Sequence, residues 1–378
     1  MSHAFELGPI RPPSEAYSLL VRITRNCPWN KCAFCSTYRG QTFSRRSVDE
    51  IKGDIDAMRA IADRIQDAVQ NSGTHGRITE EVLASARGQD DTPEYYYRQI
   101  AFWLYHGIKT AFLQDANSLL LPARELVEIL GYLREKFPSI ERITTYARAK
   151  TISKKTLEEL VQLKDAGLSR LHIGMESGSD TVLGLVSKGV TAEEHIMAGQ
   201  KAMSAGFDLS EYYMPGLGGR EFTHENAFRT AEVVTAINPT FIRIRSTVPL
   251  PGTELHAMMT EKSWTPLTED EKVRELRLFI ENLGDLTGAL LSDHMMNLLE
   301  DVEGRFPDGK QQMLDIIDGY LSMSDDDRGN FIIGRRIGEF RYLADYTRDS
   351  RIDAIRRELK REYRTVDNAV LELLKNFI

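Results

Sequence analysis

Between residues 19 and 248 the sequence alternates short apolar, β-branched runs with longer helical patterns. The strand-like runs are Leu19–Arg25, Thr110–Gln114, Arg142–Ala147, Arg170–Met175, Asp208–Met214 and Phe241–Val248. Helical patterns lie between them, at Ala123–Phe137, Thr156–Ala166 and Thr223–Ile237 among others. Ser47-Val48-Asp49-Glu50 and Thr191-Ala192-Glu193-Glu194 have the form of capping boxes, and Gly167, Gly206 and Asn238-Pro239 supply stops. Strands that alternate with helices make parallel βα units, with helices covering the sheet. A chain of 378 residues that is 42% hydrophobic can bury one large domain with an appendage, or two domains. We divide it at residue 260. A polar, helix-rich insertion at about 61–106 interrupts the first domain and carries Tyr95-Tyr96-Tyr97 and Trp103. It reads as a surface elaboration or as a substrate gate. Residues 261–378 read as a helical C-terminal domain.

All three cysteines fall within nine positions, in Cys27-Pro-Trp-Asn-Lys-Cys32-Ala-Phe-Cys35, on a loop that follows the first strand. Three thiolates with no fourth suit a metal centre that keeps one position open. A cubane iron–sulfur cluster normally takes one cysteine per iron, so three leave an iron free for substrate or cofactor. Zinc would want a fourth ligand, commonly His at short spacing, and the nearest in sequence are His3 and His75. Three cysteines cannot all pair as disulfides, and no secretory signal precedes them. An iron–sulfur ligand set is the favoured reading, with zinc and chance clustering as alternatives.

The triad, with Phe34 just before its last cysteine, resembles the cluster loop of radical S-adenosylmethionine (SAM) enzymes. It departs from the usual spacing, with four residues rather than three between the first two cysteines, a CX4CX2C pattern. Arg170-Leu-His-Ile-Gly-Met-Glu176-Ser177-Gly178-Ser179-Asp180, followed by Lys188-Gly189, is similar to the fourth-strand segment of one branch of that superfamily. That branch holds the Elongator catalytic subunit, the methylthiotransferases and the nitrogenase-cofactor maturases. The resemblance spans roughly residues 16–256. It implies an α/β fold, a partial (β/α)6 TIM-like barrel, here followed by the helical C-terminal domain. It also implies a [4Fe–4S] cluster held by Cys27, Cys32 and Cys35, and SAM chelating the open iron.

Side chains alternate faces along a strand. In the fourth strand Leu171, Ile173 and Met175 suit a helix-covered face, which turns His172, Gly174 and Glu176 to the lumen. The same sorting turns inward Arg22 and Thr24, then Thr144, Tyr146 and Arg148, and then Arg243, Arg245 and Thr247. The lumen is thus polar and mostly cationic, and inward arginines demand anionic partners. The resemblance implies that Glu176 and Ser177 meet the SAM ribose and that Arg148 meets its carboxylate. The family's usual Gly-Gly-Glu segment, which takes the methionyl amino group, is replaced by Gln114-Asp115-Ala116-Asn117. Asp115 or Asn117 could take that role. Arg243, Arg245, His172 and His294 are candidate substrate contacts, pointing to a small anionic substrate. The alternative is that carboxylates such as Glu211 or Glu254 pair with both arginines. Pro215-Gly216-Leu217-Gly218-Gly219 lacks the features of a phosphate loop and reads as a tight turn near the cofactor.

At steps of three, His294, Asn297 and Glu300 would share one face of a C-terminal helix, with Leu298, Leu299 and Val302 anchoring it as a cap. Gly334-Arg335-Arg336-Ile337-Gly338 would add two cations there. An ordinary solvated face is the alternative. The net charge of −8 counts against a nucleic-acid partner. No apolar run reaches membrane-spanning length, so a cytoplasmic location is expected. The reading requires an external one-electron reductant of ferredoxin or flavodoxin type. No further cysteine exists for an auxiliary cluster. The rival class is a non-enzymatic iron–sulfur protein that carries electrons or senses redox state.

Overall fold

Both capping boxes form in the computed structural model, which describes residues 3–374. Ser47 Oγ accepts from Glu50 N at 3.2 Å while the Glu50 carboxylate accepts from Ser47 N at 2.8 Å. Thr191 and Glu194 repeat the exchange at 3.2 and 3.0 Å. Each box satisfies backbone donors that a helix start otherwise leaves unpaired. The chain divides into two compact units. The first holds the described residues up to Pro28, then Gly40–His172 and Ser204–Asp208; the second holds Trp29–Arg39, Ile173–Met203 and the chain from Leu209 onward.

The first unit contains β1 (Leu19–Arg22), β2 (Thr24–Arg25), β3 (Ser44–Arg45), α1 (Val48–Asn71), α2 (Glu80–Arg87) and α3 (Glu94–Tyr105). It continues with β4 (Thr110–Gln114), α4 (Ala123–Lys136), β5 (Arg142–Ala147), α5 (Ala149–Lys154), α6 (Leu157–Asp165) and the start of β6 (Leu168–Glu176). Strands β1, β4, β5 and β6 lie side by side in that order. β1 pairs parallel to β4 and β4 to β5, with Leu19 opposite Ala111 and Thr110 opposite Arg142. The first expected strand is therefore two, broken at Ile23. Helix α1 buries Ile51, Ile55, Met58, Ile61 and Ile65 on one stripe and packs against α2, α3 and α4. The insertion is anchored here: Tyr97, Ile100 and Trp103 of α3 are buried, each such side chain contributing roughly 1.5–3 kcal/mol.

The second unit takes the rest of β6 and adds α7 (Asp180–Leu185), α8 (Ala192–Ser204), β7 (Asp208–Tyr213), α9 (Thr223–Ile237), β8 (Phe241–Ile244) and α10 (Glu254–Thr260). Beyond these come α11 (Glu269–Asn282), β9 (Ala289–Leu291), β10 (Gly304–Arg305), α12 (Gly309–Ser322), α13 (Asp325–Arg336), α14 (Ser350–Tyr363) and α15 (Val366–Leu374). β6, β7, β8, β9 and β10 are neighbours in that order. β7 to β8 and β8 to β9 are parallel, and β9 to β10 antiparallel. The fold is α/β with mostly parallel strands, as the alternation requires. Residues after 261 are mostly helical, but β9 and β10 were not anticipated, because three- and two-residue strands carry no periodicity of their own. The sixth expected strand ends at Ile244 rather than Val248.

The helix expected around His294 does not form. Residues 292–303 are a loop, because side chains take the backbone groups that a helix would use. Asn297 Nδ2 donates to the carbonyls of Ile244 (2.8 Å) and Ser292 (3.2 Å), and Ser292 Oγ donates to the Leu299 carbonyl (2.7 Å). Asn and Ser compete with helix formation in this way. Burial of Met296, Leu298, Leu299 and Val302 fixes the loop.

Candidate active site

The cysteine loop is anchored by its neighbours. Cys27 belongs to the first unit, Cys32 and Cys35 to the second, and all three are half-buried and outside any disulfide. Around the latter two, Arg39 donates to the carbonyls of Cys35 (3.1 Å) and Cys32 (3.0 Å). The Trp29 indole donates to the Ser187 carbonyl at 2.7 Å. That indole lies against Gly189, where a Cβ would come within 2.1 Å of the ring; with φ at +69° as well, only glycine fits there. The Ala33 amide donates to the Val186 carbonyl at 2.9 Å. Phe34 lies under Lys188, whose ammonium is 5.7 Å from the ring centroid.

Lys188 also pairs with Glu176 at 3.0 Å. Gly174 makes room for that pair, since a Cβ there would sit 2.2 Å from Glu176 Oε1 and 3.1 Å from Lys188 Nζ. Ser177 is buried, and its Oγ accepts from Ser179 N at 3.0 Å. Lys188 and Glu176 both stand out in the sequence, but their pairing does not.

In the first unit, Arg148 and the β4 end are joined. The Asn117 carboxamide accepts from Arg148 N (3.2 Å) and donates to Thr151 Oγ1 (2.8 Å). Gln114 donates to the carbonyls of Gly8 (3.0 Å) and Ile10 (2.9 Å) and accepts from Gly8 N (2.9 Å). Asp115 is fully buried and accepts from Arg22 Nε (2.9 Å), Arg22 Nη2 (2.7 Å) and Asn26 N (3.2 Å). Glu6, which sequence reasoning passed over, pairs with Arg22 (2.7 Å), Arg25 (2.8 Å) and Arg46 (3.5 Å). His172 is buried 3.9 Å from the Glu15 carboxylate and edge-on to Phe112 and Tyr146.

The other substrate-contact candidates gather in the second unit. Buried Arg243 pairs with Asp293 and donates to Ser210 Oγ at 3.2 Å, so neither Glu211 nor Glu254 is its partner. Arg245 is exposed. His294 accepts at Nδ1 from Met296 N (3.2 Å). Burial first, and then the nearby Arg245 guanidinium, pushes its pKa down to about 4, so the ring is neutral at pH 7. With Nδ1 accepting, Nε2 carries the proton. Arg335 and Arg336 present no spare cations: Arg335 pairs with Glu300 (2.5 Å) and Arg336 with Glu269 (2.6 Å). The glycine turn after β7 is tied down by buried Glu275 of α11. Glu275 accepts from Gly216 N (2.9 Å), Tyr213 OH (2.8 Å), Thr223 Oγ1 (2.6 Å) and Asn226 Nδ2 (2.7 Å).

Among the described residues, no three His, Cys, Asp or Glu side chains gather to hold a metal ion. A cubane offers each thiolate its own iron, so its ligands need not converge on one point. The donor set, three soft thiols outside any disulfide, fits such a cluster.

The profile of the Radical SAM superfamily matches residues 21–230, more than half of the chain. The chain belongs to the radical SAM superfamily. It is an enzyme, and its cofactors are those of the superfamily, a [4Fe–4S] cluster and SAM; the electron-carrier reading is set aside. The tRNA uridine(34) acetyltransferase of Methanocaldococcus infernus is 26% identical over 117 residues, covering 31% of this chain and 22% of that protein. Its Methanocaldococcus jannaschii counterpart is 25% identical over 117 residues, with the same coverage of 31% and 22%. The chain therefore spans about a fifth of the length of these curated relatives. Among solved structures, the radical SAM methyltransferase TsrM from Kitasatospora setae, with cobalamin and a [4Fe–4S] cluster bound, has a TM-score of 0.45 at 13% identity. It covers 90% of this chain and 61% of its own. No helix among the described residues is long and apolar enough to cross a membrane.

Proposed function

We propose that Cys27, Cys32 and Cys35 hold the [4Fe–4S] cluster and that this enzyme acts on a small substrate bearing carboxylate or phosphate. Bound there, the cluster would supply one electron, drawn from a ferredoxin- or flavodoxin-type donor, for reductive cleavage of SAM, the chemistry on which hydrogen abstraction from the substrate would depend. The protein's part is to hold and orient. Glu176 accepts from the ribose hydroxyls, and its ion pair with Lys188 fixes the carboxylate. Ser177 can donate alongside it. Arg148, placed by Asn117, is suited to the SAM carboxylate.

The observation that carries the substrate class is the division of labour between two arginines on one strand. Arg243 has an internal carboxylate, whereas Arg245, just past β8, is exposed beside a neutral imidazole. Arginine grips carboxylate or phosphate through two parallel hydrogen bonds, and His294 Nε2–H adds a third donor. A nucleotide phosphate is one such anion. The similarity to archaeal tRNA enzymes keeps nucleotides in the substrate set, while the chain's charge of −8 disfavours a broad nucleic-acid footprint.

The test is anaerobic reconstitution followed by SAM and dithionite, with 5'-deoxyadenosine measured by chromatography. Pools of phosphorylated, carboxylated and uncharged metabolites are then added. Cleavage that rises only with anionic pools is expected. Stoichiometric zinc in anaerobically prepared protein would overturn the cluster assignment, and stimulation by uncharged pools alone would overturn the substrate class.

A further inference from the structure

The residues around Asp115 describe a support for the cysteine loop. Asn26, the residue before Cys27, has φ at +67°, a conformation that most side chains avoid. Three contacts within the first unit hold it. Its backbone N–H donates to Asp115 Oδ2 at 3.2 Å, its side-chain oxygen accepts from Arg22 Nη2 at 3.3 Å, and its side-chain nitrogen donates to the Thr42 carbonyl at 2.7 Å. Arg22 is in turn fixed by two hydrogen bonds to the same Asp115 oxygen, at 2.9 and 2.7 Å. Gly8 closes over the other oxygen, leaving no room for a Cβ, which would stand 2.5 Å from Asp115 Oδ1. Asp115 thus has 0% exposure, and one of its oxygens already receives three N–H groups.

We infer that Asp115 is a positioning residue for the cysteine loop, not the acceptor of the SAM amino group. Through Asn26 and Arg22 it fixes the backbone that presents the Cys27 thiol. With Oδ2 taken by three N–H groups and Oδ1 walled off by Gly8, the carboxylate could take an ammonium only by displacing Gly8 or by giving up Arg22. Giving up Arg22 would leave a guanidinium only 13% exposed with one fewer counter-charge. The role rests on Cys27 being a cluster ligand, as proposed above, but the geometry that supports it is that of the protein alone.

The test reads the thiols themselves. In the full-length chain before reconstitution, the iodoacetamide alkylation rate of each cysteine is followed by peptide mass spectrometry under anaerobic conditions. Asp115→Ala is expected to speed alkylation of Cys27 about tenfold, the factor that about 1.4 kcal/mol of lost local fixation gives. Cys32 and Cys35, anchored through Arg39, Trp29 and Ala33, should keep their rates. Asp115→Asn, which retains an oxygen for the Asn26 amide, should recover most of the wild-type Cys27 rate. After reconstitution it should bind SAM with unchanged affinity, by equilibrium dialysis. Three results would overturn the inference: unchanged Cys27 reactivity in Asp115→Ala, equal acceleration of all three thiols, or a tenfold loss of SAM affinity in Asp115→Asn with its cluster intact. A full cluster in Cys27→Ala would instead count against the ligand assignment, and the apoprotein thiol rates would still decide the role of Asp115.

Discussion

Replacing Glu211 by glutamine should change how stability depends on pH, with a sign fixed by the surroundings of that side chain. Glu211 has 0% exposure, and neither carboxyl oxygen has a hydrogen-bond partner among the described residues. Burial, followed by repulsion from the Glu176 carboxylate, raises its pKa well above the ordinary 4.5, and the Lys188 charge only partly opposes this. The folded protein therefore keeps the proton over a range in which the unfolded chain has released it. The unfolded state binds fewer protons there, so the stability contributed by this group is full below about pH 4.5. It is lost as pH rises toward the folded-state pKa. One proton corresponds to about 1.4 kcal/mol per pH unit, which sets the steepest slope the wild type can show relative to a variant that does not titrate. Glutamine is nearly isosteric and does not titrate. Its buried amide costs roughly 1–3 kcal/mol at every pH, which offsets the curve without tilting it. Urea unfolding of both proteins at pH 5, 6 and 7 provides the measurement. The stability of Glu211→Gln relative to wild type should climb across that range. Parallel pH profiles for the two proteins would refute the reasoning and show that Glu211 is ionised in the fold.

Removing the proposed ribose acceptor, in Glu176→Ala, should weaken SAM binding by about 1.5–3 kcal/mol, the range for hydrogen bonds to a charged group. The ultraviolet–visible spectrum of the cluster should stay normal. Arg245→Gln should raise KM for an anionic substrate at least about tenfold, corresponding to the loss of one charge-assisted contact, with SAM affinity unchanged in equilibrium dialysis. A chain truncated after residue 260 should be insoluble or unfolded by circular dichroism. It would lose β9 from its pairing with β8 and would strip Glu275 from Tyr213, Gly216, Thr223 and Asn226.

Signals that act over one or two turns of chain were legible in the sequence. The strand–helix alternation, the capping boxes at Ser47 and Thr191, the stop at Asn238 and the clustered cysteines each depend on neighbours a few residues away. Spacing and propensity encode such neighbours. Burial does not separate the two faces of β6, since His172 is as fully buried as Leu171, Ile173 and Met175. Which charge meets which was not legible. Arg243 pairs with Asp293, Glu275 reaches Tyr213, and Asp115 reaches back to Arg22, partners separated by 50, 62 and 93 residues. An arginine that faces inward announces a need for an anion, but it does not say whether ligand or protein supplies it. The segment around His294 shows the limit most sharply. Steps of three are common to a helix face and to an irregular loop, and the choice fell to Asn297, whose carboxamide bonds to Ile244 and Ser246 of a different strand and its extension. Sequence alone determined the family chemistry and the αβ alternation, because these reside in local pattern and cysteine spacing. Tertiary structure decided which polar groups remain available to a ligand, because burying a charge requires a partner and only the folded chain brings that partner near.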